Sequence, residues 1–205
     1  MLKTLIHKTG LARIFANKDG VAAIEFAIIA PIMIALYMGL AEVSLLVTAD
    51  RRVSHASSVV GDLATQIESL DEDDIEDIYN AAFAVLGIRQ ADASRVSIDL
   101  ISFEKENDGT INEVGYAKIG TGWGTKYDPS GVSATLLNPL SGLVVARVKY
   151  VYHSPSRQFV GSPTLKETFM LKPRKSASVP FENGGSHTVN CTLTSRNGNP
   201  RASCN

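Results

Sequence analysis

The sequence is short of the residues that carry out chemistry. Its four histidines, His7, His55, His153 and His187, are scattered over 205 residues, and no HExxH or G-x-S-x-G motif accompanies them. No nucleophile, base and orienting group stand at a recognisable spacing, so the chain reads as a non-enzyme without a cofactor or small-molecule substrate. The glycine-rich segment 120–131, GTGWGTKYDPSG, has neither the Lys-Ser/Thr pair of a phosphate loop nor the G-x-G-x-x-G order of a dinucleotide turn. It reads as a loop packing its own Trp123, with contact of an exposed Trp123 to another subunit as the alternative. The acidic run Asp71-Glu72-Asp73-Asp74 lacks the alternating acids, central Gly and terminal Glu of an EF-hand loop, so no metal is assigned. Charge of one sign is also missing: 20 basic residues face 21 acidic ones, which gives no reason to expect nucleic acid as a partner.

What the chain does have is one long apolar run. Residues 21–47 are 27 in number and carry only two formal charges, Glu25 and Glu42. A bilayer core of about 30 Å needs about 20 apolar residues in a helix. Glu42, 21 residues above Val21 and therefore roughly 32 Å along a helix, can reach the far interface. Glu25 cannot easily escape, and an acid in a membrane helix costs on the order of 2.5–3.5 kcal/mol near the centre, less toward the ends. It therefore calls for a partner or a function, the alternative being a charge that merely snorkels. Lys3, Lys8, Arg13 and Lys18 against Asp19 place a net +3 ahead of the run, which holds that end in the cytoplasm and sends everything past about residue 48 out of it. The run is too long for the apolar region of a cleaved secretory signal. Without residues 1–20 the chain keeps 16 basic and 20 acidic residues, a balance of −4, which leaves proteins and lipid as the expected partners.

Lys18-Asp19-Gly20 followed by Val21-Ala22-Ala23-Ile24-Glu25-Phe26 resembles the processing site of type IV pilin-like proteins, and the Glu25-Phe26 pair resembles the Glu-aromatic pair of the Flp/Tad branch. With the run AIIAPIMIALYMGLAEVS, interrupted by Pro31, and with ASSVVGDLATQ at 56–66, the chain is similar to the TadE/TadG-like minor pilins or pseudopilins. The segment LKPRKSAS at 171–178 looks like the basic-Pro motif of such proteins, although the Cys that commonly follows it is displaced to Cys191. The resemblance implies cleavage by a prepilin peptidase between Gly20 and Val21. It further implies that the new amine of Val21 neutralises Glu25 of a neighbouring subunit and so sets the assembly register. The implied partners are that peptidase, other Tad pilins or pseudopilins, inner-membrane platform proteins and the lipid bilayer. The implied location is a single pass through the bacterial inner membrane with the C-terminal part in the periplasm, and the surface pilus if the protein is assembled. Pro31 lacks the N–H that would reach Ala27, so it reads as a helix kink, with a packing role in the filament or platform as the alternative.

Beyond the run, Val53, Ala56, Val60, Leu63, Ile67 and Leu70 recur at spacings of 3 and 4 and form one apolar seam. This predicts a helical stem over 48–70, packed on its own head or in a coiled coil, with a bend at Gly61. The acids from Asp71 suit a helix start, and Ile75, Ile78, Tyr79, Ala82 and Leu86 predict an amphipathic helix ending at Gly87. From Ala93 the period becomes two: Val96, Ile98 and Leu100, a turn at 106–109, then 111–119, then 142–153, with 158–160 and 166–172 adding a further strand or strand pair. The fold class is therefore α+β, a long transmembrane and stem helix, a second helix and a small, mainly antiparallel sheet head. The expected organisation is a basic leader at 1–20, a span at 21–47, a stem at 48–70, a head at 71–180 and a polar tail at 181–205.

Cys191 and Cys204 both fall in the exported part, where an oxidising compartment lets them close the tail as a disulfide, free or intermolecular thiols being the other option. Three functions compete: a minor pilin or pseudopilin that assembles or initiates a Tad pilus used in adhesion, a structural membrane component that never polymerises, and an anchored periplasmic sensor or enzyme.

Overall fold

The computed structural model describes residues 20–132 and 137–205. The expected leader lies outside them apart from Gly20. Helix α1, Val21–Ala64, is 44 residues long, about 66 Å at 1.5 Å per residue. Its lower part stands free, with Ile24, Ile28, Ile32, Leu36 and Leu40 all exposed. Its upper part enters the head, where Val53, Ala56, Val60 and Ala64 are completely buried. The predicted seam therefore faces the protein's own sheet rather than a coiled-coil partner.

The helix ends at Ala64, earlier than the stem read to residue 70. Thr65 terminates it, donating its N–H to the Gly61 carbonyl, and Arg174 caps the far side by donating its N–H to the Thr65 carbonyl. Leu70 is buried as the seam requires, but as an extended residue paired with Phe181. The helix continues through Gly61 as one element. Gly61 is buried, and a Cβ there would lie 3.1 Å from Leu171 Cδ1, so the missing side chain lets the helix approach the sheet.

Helix α2, Glu72–Leu86, follows its sequence signals closely. Asp71 caps it, accepting from the Asp74 N–H at 2.8 Å, while Asp74 accepts from the Asp71 N–H at 3.4 Å. Gly87 ends it in the left-handed conformation, φ 63°, which only glycine adopts without strain. Ile75, Ile78, Tyr79, Ala82, Phe83 and Leu86 are buried.

The strands are β1 Val96–Lys105, β2 Ile111–Ile119, β3 Ser141–Val151, β4 Thr164–Leu171, β5 Thr188–Arg196 and β6 Asn199–Cys204. They form one six-stranded sheet in the order β4-β3-β1-β2-β5-β6. Every neighbouring pair is antiparallel except β2 with β5, so the sheet is mixed. The segment expected to be a polar tail instead supplies two strands. Val189 and Ala202 are buried against the helices, and Phe181, just before β5, covers Gly115. Residues 158–160, expected to be extended in a strand, lie in the loop between β3 and β4.

Both helices lie on one face of the sheet, over Ile98, Leu100, Val144, Ala146, Val148 and Ile119. On the other face Ile101, Phe103, Leu143 and Val145 pack with Leu137 and, half-buried, Tyr127 and Val132 from the β2–β3 connection. Central strand β1 is thus buried on both sides, which is why the polar members of its alternation, Ser97 and Asp99, are buried too.

Candidate functional site

Gly20 immediately precedes α1, and it is exposed, with open space around the position of a side chain. Val21 and Glu25 stand four residues apart, one helical turn, and so share a face. Glu25 is exposed and has neither a hydrogen bond nor an ion pair among the described residues. Phe26 beside it is 72% exposed. Helix α1 runs through Pro31 as one element, leaving the Ala27 carbonyl without its usual N–H donor. Gly20, Val21, Glu25, Phe26 and Pro31 thus lie at the lower end of α1, exposed and without cover from the other described residues.

The second acid of the run is placed quite differently. Glu42 is only 5% exposed, because the β3–β4 loop folds down onto it. Its Oε1 accepts from the Ser156 N–H at 3.2 Å and from the Ser156 hydroxyl, and its Oε2 accepts from the Val160 N–H at 3.3 Å. Backbone donors at a carboxylate are charge-assisted and strong, so the loop is clipped to the anchor. Phe159 then lies across Gly39, with its ring 3.5 Å from where a Cβ would stand. Sequence reasoning placed Glu42 at an interface but missed this partner, since 114 residues separate Glu42 from Ser156 and nothing local links them.

In the head, the segment 120–131 closes over a buried ion pair. Asp99 and Arg147 are direct cross-strand neighbours on β1 and β3, with Arg147 Nη2 2.7 Å from Asp99 Oδ2. Arg147 also donates to the Thr125 carbonyl at 3.0 Å and stacks beneath half-buried Trp123, 4.6 Å from its ring centre. Trp123 therefore lies against the sheet, with Arg147 of β3 and, at 5.7 Å, Lys166 of β4 beside its ring. Burial lifts the phenol of neighbouring Tyr127 above its ordinary range, a shift that the Arg147 charge opposes. The basic-Pro segment 171–178 serves the stem: the Arg174 guanidinium pairs with Asp62 as its backbone caps α1. Cys191 and Cys204 face each other across β5 and β6, with Cα atoms 4.0 Å apart, and are joined as a disulfide.

A cleft of about 750 Å³ lies between the C-terminal end of α2 and the β5–β6 turn, lined by Asn80, Arg89, Arg196 and Arg201 among others. It holds no acid or histidine to work as a base. Among the described residues no three His, Cys, Asp or Glu side chains converge as metal ligands.

The free helix and the exposed acid one turn above its start have a counterpart among known proteins. Residues 20–61 match the family model described as TadE-like protein, a match that begins at Gly20 and ends at Gly61. No curated protein and no solved structure matches the chain. The TadE-like family is one of structural pilus components and is not known for enzymatic activity. Residues 20–61 are therefore similar to the TadE-like family, which is consistent with a TadE-like protein of Tad pilus systems.

Proposed function

We propose that the protein is a minor pilin or pseudopilin that is cut between Gly20 and Val21 and takes part in assembling or initiating a Tad-type pilus. The observation that carries this reading is the anchor: an apolar helix long enough to cross a membrane, with none of its most apolar stretch buried, that starts at Gly20 and presents an unpaired Glu25 one turn on. A helix whose apolar surface and acid both lack an internal partner supports a role completed by lipid and by another subunit. In this reading the prepilin peptidase exposes the Val21 amine, and that amine neutralises Glu25 of a neighbour, which favours one register of assembly. The head faces the periplasm, and other Tad pilins and inner-membrane platform proteins are the partners. Mass measurement of the mature N-terminus, in cells with and without the peptidase, is the direct test. Val21 is expected as the first residue only when the peptidase is present. The full-length N-terminus in both strains would sink the reading and favour a structural component that never polymerises.

A further inference from the structure

The loop between β3 and β4 has an arrangement that the assembly reading does not use. It leaves the sheet at Tyr152, whose N–H bonds the Pro163 carbonyl at 3.0 Å, and descends to Glu42. Arg157 and Gly161 turn it back with left-handed φ values of 59° and 68°. Arg157 and Phe159 on this turn are both exposed, Phe159 by 49%, and Phe159 reaches down α1 as far as Gly39. The ring of Phe159 joins Ile32, Ala35, Leu36, Leu40 and Val43 of α1 around a wholly apolar groove of about 450 Å³. That groove is continuous with the surface of α1 that has no protein cover.

We propose that residues 152–163 form a foot that seats the head on the outer leaflet of the bilayer, with Phe159 entering the lipid beside α1 and Arg157 among the headgroup phosphates. The inference rests on the reading of residues 21–47 as a membrane span, and it refines that span. Residues 21–40 number 20 and rise about 30 Å, the thickness of a hydrocarbon core. The bilayer then ends just below Glu42, the level at which the foot touches the helix. Glu42 is tolerable there because loop donors replace its water. An apolar ring such as Phe inserted at the headgroup and acyl boundary, with a basic side chain on the polar side, is a composition that holds peripheral segments at a membrane interface. A groove open at that depth, with lipid-facing residues on either side of it, takes an acyl chain. The foot fixes the height of the head, since the clip and the insertion act at one level of α1.

The test uses the full-length chain in lipid vesicles, with Trp123→Phe to remove the native indole and Phe159→Trp to report from the foot. Bromine is placed on the acyl chains either just below the headgroup or near the chain end. The indole at position 159 is expected to lose about half of its emission to the shallow bromine and clearly less to the deep one, as an interfacial residue does. A second reporter, Leu36→Trp, should be quenched in either lipid. An indole at 159 that no bromine quenches but aqueous iodide does would overturn the foot while leaving the span intact, provided the one at 36 is quenched. If neither bromine nor iodide reaches position 159, protein covers the groove, and a second copy of the chain takes the place of lipid. Absence of quenching at 36 as well would remove the span and the foot together. Glu42→Ala in the Phe159→Trp chain should cut the shallow quenching by at least about half, because the loop is no longer held against α1; unchanged quenching would overturn the clip.

Discussion

Three charged side chains show how differently one formal charge can be accommodated. Asp99 is buried against Arg147 at 2.7 Å, and Arg147 is held further by a carbonyl and by Trp123. Removing one partner strands the other in a dry site. Arg147→Ala should therefore destabilise the head by about 3–5 kcal/mol, read as a lowered urea midpoint of the purified full chain. The double variant Asp99→Leu with Arg147→Met should recover much of that loss, because well-packed apolar residues often match a buried pair. Glu25 is the opposite case, an acid that its own chain leaves unpartnered. Glu25→Ala should be processed normally yet recovered with far less of the other pilus components after crosslinking; undiminished recovery would make Glu25 a tolerated charge. Asp99 was visible in the sequence only as the polar half of an alternation. Its partner lies 48 residues away and its cover comes from a glycine-rich loop, so burial could not be read from spacing.

Helix α1 carries two environments in one element. Its lower half is apolar on nearly all sides and long enough to cross a membrane, whereas its upper half is apolar on one seam because it meets a sheet. Both patterns are periodic and local, which is why the sequence located the helix and its buried face. The end of the helix was less visible, since the seam continues through Ile67 and Leu70 after the backbone has become extended. What stops the helix there is tertiary, the Arg174 N–H at the Thr65 carbonyl and the Arg174–Asp62 pair. Gly61 was read as a bend on propensity alone, yet its missing side chain makes room for Leu171 and Phe169 of β4 and Ala146 of β3. Gly61→Leu should therefore cost about 1–3 kcal/mol by overpacking, despite improved helix propensity, and should show as a lower thermal midpoint of the head. The second helix needed no such help, because Asp71 and Gly87 mark both ends within the local sequence.

Across the whole molecule the sheet is closed by its last segment. Strand β5 joins β2 in parallel after the long return from β4, and β6 folds back to bring Cys204 opposite Cys191. The polar composition of residues 181–205 concealed this, because β5 and the edge strand β6 bury only one face, which Val189, Cys191 and Ala202 supply. With a separation of 13 residues the disulfide contributes about 3 kcal/mol by the chain-entropy estimate. Cys191→Ser with Cys204→Ser should therefore lower the stability of the full chain by about that amount. Hydrogen exchange should quicken first in β5 and β6, with β1 and β3 least affected; uniform change across the sheet would mean that the bridge acts on the whole domain instead.

By itself the sequence determined the elements whose causes are local: an apolar run long enough to span, a seam at helical spacing, two helix caps, and a hairpin with its turn. It also carried the Gly20 to Phe26 pattern, since that signal is contiguous. Only the tertiary structure decided that Glu42 is clipped by the β3–β4 loop, that Asp99 is buried against Arg147, and that the polar tail completes the sheet. Those outcomes depend on groups tens to more than a hundred residues apart. Whether a charged or polar residue ends up wet or dry is fixed by what the rest of the chain lays over it.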